Sequence, residues 1–217
     1  MAVKPIIFST SMVQAVLDGR KTLSRRIIKP QPSYETQYPL GYITGSTEKK
    51  DMGCYGWGMD EYGGRISYAK PQFYTGDILY VRESYCPNYF DDYSPAYRAD
   101  YRKEKISSEV PEPKWKPSIH MPKAVARIWL QVTDVRVERL TDISDVDVIA
   151  EGCKSFKDGR CYEFADTDYD KTGLAHSTPT VAFACFWDSL YAKRGYGWNV
   201  NPWVWVYEFE KCEKPIS

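Results

Sequence analysis

The chain has 217 residues and carries 29 Lys plus Arg against 29 Asp plus Glu. That length suits one domain with insertions better than two, and the zero balance excludes a protein-wide field that would draw the molecule to nucleic acid or membrane, so any anion site is local. No apolar run reaches the roughly 18–20 residues of a membrane helix, and MAVKPIIFSTS lacks the apolar core of a signal peptide, which predicts a soluble, cytoplasmic protein.

Ile6–Phe8 reads as a short buried strand. STSMVQAVLDG then reads as a helix, with Ser11 and Gln14 as a capping pair, Met12, Val13, Val16 and Leu17 on one apolar face, and Gly19 at the closing positive-φ position. The cations Arg20, Lys21, Arg25 and Arg26 follow, with Thr22 and Ser24 among them. In the extended stretch up to Pro30, Leu23, Arg25 and Ile27 face one side, and Ser24 and Arg26 the other.

From Ser33 to Thr75 the chain is rich in Gly, Tyr and charge and is expected to be a loop-and-hairpin insertion. Ile78–Arg82 is a strand, PAYRADY its expected partner, and Arg102–Pro117 a proline-bearing linker. In RIWLQVTDVRVERL the apolar alternation changes phase, which predicts a long strand with a bulge near Thr133–Asp134. DISDVDVIAEG is a short helix capped by Ser144 and closed by Gly152. A second polar insertion runs from Lys154 to Pro179, where Asp166, Asp168 and Asp170 read as a solubilising acidic run. Phe183, Phe186, Trp187 and Leu190 recur at helical spacing. NPWVWVYEFEK is apolar on both faces, the pattern of a buried strand that closes the fold.

The six cysteines are widely spread without a C-x-x-C, and His120 and His176 are the only histidines. Reduced thiols are expected, with no metal and no organic cofactor.

Taken in order, GRKT, GDILYVRE, PSIHMP, AEG and NPWVWVYEF resemble the ASCH family of small PUA-like proteins, and specifically its longer phage and prophage members. The resemblance implies an α+β fold over residues 1–217: a small mixed β-barrel with flanking helices and two polar insertions, at about 33–75 and 154–179. The family signature G-x-K-x-x-E-x-R falls on Gly19, Lys21, Ser24 and Arg26, with Ser24 in place of the acidic residue. Related bacterial members hydrolyse the acetyl-amide of an acetylated cytidine using a Lys, a Thr three residues later and a Glu in the short helix. Carried over by position, those become Lys21, Ser24 and Glu151.

GRKTLSRR admits three readings. The plainest is a solvated basic turn. In a binding site, Lys21 and Arg26 contact phosphate or a base edge, the hydroxyls of Thr22 and Ser24 are auxiliary donors, and Arg20 and Arg25 are further ligand-binding candidates. In a catalytic site, Lys21 is general base toward Ser24 and Glu151 handles the departing amine's proton, which demands a neutral Lys21 against an ordinary pKa near 10.4. Glu83 reads first as a buried carboxylate paired to an Arg such as Arg82 or Arg25, and second as pocket floor. His120 reads as packed on a rigid turn, with Lys123 and Arg127 extending a basic face. Tyr196 and Trp198, beside Lys193 and Arg194, offer stacking surfaces.

The leading expectation is binding of RNA or a modified nucleoside or nucleotide, coupled or not to hydrolysis. The rivals are an amidohydrolase acting on an acylated cytidine, a ribonuclease, and a phage interaction protein without ligand. Oligomeric state is left open.

Overall fold

A computed structural model describes residues 1–46, 48–90, 93–101, 112–156, 159, 161–164 and 176–215. The predicted acidic run and most of the predicted linker lie outside them. Chain order begins with β1 (Val3–Ile7), α1 (Thr10–Leu17) and β2 (Leu23–Ile27), followed by β3 (Tyr38–Tyr42), β4 (Tyr55–Gly58) and β5 (Ser67–Ala69). Next come β6 (Ile78–Arg82), β7 (Tyr85–Cys86), β8 (Ala96–Tyr97) and β9 (Trp129–Arg139). The remainder is α2 (Asp145–Ala150), β10 (Lys154–Phe156), β11 (Cys161–Glu163), α3 (Pro179–Tyr191) and β12 (Trp203–Cys212).

The main sheet has five strands in the order β1-β6-β9-β12-β2, with β1 parallel to β6 and the other neighbours antiparallel. β12 sits between β9 and β2 because both of its faces are apolar. Trp203, Trp205, Tyr207 and Phe209 enter one core cluster, Val204 and Val206 another. On the first face lie α1, through Val13 and Val16, and the β3-β4-β5 sheet, whose Trp57 and Ala69 join the same core together with Phe73 beyond the end of β5. On the second face α2 and α3 contribute Val148, Phe183, Phe186 and Trp187. The first insertion therefore covers the main core. The second contains the β10–β11 hairpin and buries Phe164 against α3.

The expected phase change in β9 is a bulge: Asp134 pairs with Glu208 and Val132 with Phe209, so Thr133 is the extra residue. Ser144 caps α2 by accepting from the Asp147 N–H, as predicted. α1 is instead capped by Ser9, which accepts from the Met12 N–H at 3.4 Å, because the helix starts before Ser11. PAYRADY supplies only the two residues of β8, paired to β7 rather than to β6, whose own neighbours are β1 and β9.

The expected closed barrel is corrected: β1 and β2 are the two edges of an open sheet, with no ladder between them among the described residues. Pro5 lies on β1, where it removes a backbone donor from an edge strand. Across the gap a side chain takes the place of a ladder, Arg26 Nη2 donating to the Ile7 carbonyl at 3.0 Å. Among the described residues no helix is long and apolar enough to cross a membrane.

Candidate functional site

Strand alternation separates the two arginines of β2. Arg25 is in register with Val206, on the face covered by α2 and α3, whereas Arg26 is in register with Trp205, on the face toward α1. Ahead of them the chain is strapped to two helix ends. The Arg20 and Lys21 amides donate to the Ala15 carbonyl at 2.9 and 3.0 Å, and the Thr22 amide to the Ala150 carbonyl at 2.9 Å.

The straps drive the Lys21 side chain inward until it is fully buried. Its ammonium donates to Glu151 Oε2 at 2.7 Å and to the carbonyls of Glu151 and Leu23, each at 2.8 Å, which uses all three of its donors. Glu151 Oε1 accepts from the Arg25 amide at 2.6 Å. Burial holds the Lys21 pKa below the usual lysine value; Glu151 opposes that shift, and Arg26 and Arg25 add to it. Gly152, at φ 104°, lets the chain turn away immediately behind Glu151.

Ser24 is buried and its hydroxyl has no hydrogen-bond partner among the described residues. It borders a cavity of about 20 Å³ together with Met12, Arg25, Glu151 and Trp187. That volume holds one water and no nucleobase. Lys21, Ser24 and Glu151 thus gather around one junction, although Lys21 and Ser24 share no hydrogen bond.

Arg25 is tied into a charge network on the helix-covered face. Its Nη2 bonds Glu138 at 2.8 Å and Asp147 at 2.7 Å, while Arg136 links Glu138, Asp147 and Glu208. Arg20 pairs with Asp18 at 2.9 Å and donates to the Gly152 carbonyl at 2.7 Å. Thr22 is exposed.

Elsewhere, Glu83 pairs with Arg127, at 2.9 Å, rather than with Arg82 or Arg25. Arg127 also bonds Asp100 and stacks on Tyr97, 4.0 Å from its ring centroid. Burial raises the Glu83 pKa above the ordinary carboxylate range, and Arg127 opposes the shift. His120 and Lys123 are exposed, with Lys123 Nζ 5.8 Å from the Trp129 ring centroid. These four residues form no part of the Lys21 junction.

A cleft of about 220 Å³ opens at the gap between the sheet edges, lined by Pro5, Ile7, Arg26, Gln72, Phe73 and Arg82. The Gln72 amide donates to the Tyr207 hydroxyl at 3.1 Å, which fixes this wall. Burial pushes the Tyr207 phenol up to about 12, so it stays protonated at neutral pH. Arg82 is the residue that sequence reasoning missed. The available signal was its place at the end of β6, two residues from the half-exposed Tyr80, where alternation turns both the same way.

Compared with protein-family models, with curated proteins and with solved structures, the chain matches none.

Proposed function

We propose that the protein binds RNA or a modified nucleoside, with Arg26 as the principal contact in the cleft between the sheet edges. The carrying observation is a difference within one short segment. Arg20, Lys21 and Arg25 are each paired to a carboxylate of the protein, whereas Arg26 has no carboxylate partner among the described residues and lines the cleft. A guanidinium without an internal counter-charge is the group that gains most from an incoming anion or base edge. This reading fits the ASCH resemblance, in which Arg26 is the last residue of the signature, and a cytoplasmic, PUA-like nucleic-acid binder. Calorimetric titration with cytidine derivatives and short RNAs tests it. Arg26→Ala should weaken binding several-fold, and equal affinity of variant and parent would remove the cleft from the site. Recovering the RNA intact separates binding from ribonuclease action.

A second reading, hydrolysis of an acylated cytidine, is favoured by the buried Lys21–Glu151 pair beside an unpartnered Ser24 hydroxyl. In it, Lys21 passes a proton to Glu151 Oε2, 2.7 Å away, the step its burial promotes, and the neutral amine takes one from Ser24 or from a water in the adjoining cavity as that oxygen attacks the acyl carbon. Glu151 then gives its acquired proton to the departing amine as the C–N bond breaks. Lys21→Ala, Ser24→Ala and Glu151→Gln should each abolish most turnover of N-acetylcytidine. Turnover that survives Ser24→Ala would leave Lys21 acting on water.

A further inference from the structure

Most of the buried or half-buried cations around this sheet are neutralised from within. Lys21 is answered by Glu151, Arg25 by Glu138 and Asp147, Arg127 by Glu83, and Lys4 by Asp77. Arg26 and Arg82 break the pattern together, since neither has a carboxylate partner among the described residues and both line the same cleft. Each is held by a single carbonyl: Arg26 Nη2 donates to Ile7, and Arg82 Nη2 to Ile119. Arg82 Nε is buried without a partner. Buried donors are nearly always satisfied, so an unsatisfied guanidinium N–H beside a cleft marks a place where an acceptor fits.

We propose that Arg26 and Arg82 form a two-arginine clamp for a phosphomonoester, so that the ligand is a nucleoside monophosphate or the phosphorylated end of an RNA strand. The inference rests on the binding reading and names its ligand class. Charge supports it. A phosphomonoester carries about −1.5 to −2 near neutral pH, its second ionisation falling near 6, and two unneutralised guanidiniums match that dianion, whereas an internal phosphodiester brings a single charge. Size supports it too. At about 220 Å³ the cleft, unlike the one-water cavity beside Ser24, has room for a phosphoryl group and part of its ester. Phe73 and Pro5 give the cleft an apolar wall against which the ester's carbon frame can rest. The bond each arginine makes to a carbonyl holds it in place, so less freedom is lost when an anion arrives.

Calorimetry on the full chain with cytidine 5′-monophosphate, cytidine and inorganic phosphate tests the clamp. A parallel arm uses a short RNA with and without a 5′-phosphate, which tells a mononucleotide from a strand end. The monophosphate should bind about tenfold or more tighter than cytidine, with the advantage shrinking below pH ~6 as the phosphate dianion takes up a proton and becomes a monoanion. Arg82→Gln should erase most of the difference between the monophosphate and cytidine, and Arg82→Lys should retain part of it. The lysine variant, checked by circular dichroism, decides the matter if the glutamine variant does not fold. Equal affinity for cytidine and its monophosphate, still lowered by Arg26→Ala, would overturn the clamp and leave the binding reading standing. No binding of any of these probes would overturn both.

Discussion

Replacing Lys21 with Met tests whether the buried junction organises the fold. Lys21 and Glu151 are 2% and 5% exposed, and the lysine is the sole donor to Glu151 Oε2 among the described residues. The substitution leaves a carboxylate buried with half of its acceptors unmet and takes the donor from two carbonyls. Breaking a buried pair in this way costs about 3–5 kcal/mol, a large share of the about 5–15 kcal/mol that keeps a protein folded. At roughly 2–4 °C per kcal/mol for a chain of this size, Tm should fall by about 6–20 °C. Urea denaturation with m unchanged gives the free energy directly. The double variant Lys21→Met/Glu151→Gln removes the stranded charge and keeps an oxygen for the Arg25 amide, so it should recover part of the loss, with a coupling of about 1–3 kcal/mol. A loss below about 1 kcal/mol in the single variant, the range of an exposed ion pair, would mean that Glu151 finds water and that the junction is not closed.

Gly152→Ala should destabilise by about 1–3 kcal/mol. At φ 104° an added Cβ would lie 2.9 Å from that of Ala15, and a normal m with an unchanged midpoint would refute the close packing. Burial raises the Glu83 pKa, so in the window above its ordinary 4.5 the folded state holds a proton that the unfolded state has lost. Stability from this group is complete below that window and falls as pH rises through it. Denaturation midpoints across pH 4–7 should show the decline, and Glu83→Gln should remove it. Binding of short RNA should depend weakly on salt, with a log–log slope of about −1.4 for two phosphate contacts at ~0.7 each. A slope of −4 or steeper would place binding on a long basic surface instead.

Local pattern accounts for what was legible in the sequence. The phase change in RIWLQVTDVRV marks the Thr133 bulge because a single extra residue reverses side-chain alternation. The spacing of Phe183, Phe186 and Trp187 marks α3 because one helix face must be apolar. Alternation in LSRRI also separates Arg25 from Arg26. Strand partners were less accessible. PAYRADY has the composition of a strand, yet nothing within it says that it pairs with Tyr85–Cys86, and the open gap between β1 and β2 depends on residues twenty apart in sequence. The junction shows the same limit: its candidates came through resemblance, while the partners that occupy Arg25, namely Glu138 and Asp147, lie more than a hundred residues away. Arg82 was not legible as a free cation because it stands next to Glu83, and only the fold shows that this carboxylate pairs with the distant Arg127.

The place of β12 in the sheet has a bearing on biosynthesis. Among the described strands it comes last, and it stands between β2 and β9, in contact with nearly the full length of each. While Trp203–Cys212 remains inside the ribosome, those two strands have no shared neighbour, and the apolar faces already synthesised lack their common centre. Nucleation among local contacts cannot assemble such a sheet, so folding should be late and slow for the chain's length. During synthesis the growing polypeptide displays strand edges that match other copies of itself. The interval before β12 emerges is therefore when chaperone binding matters most and when self-association competes most strongly with folding.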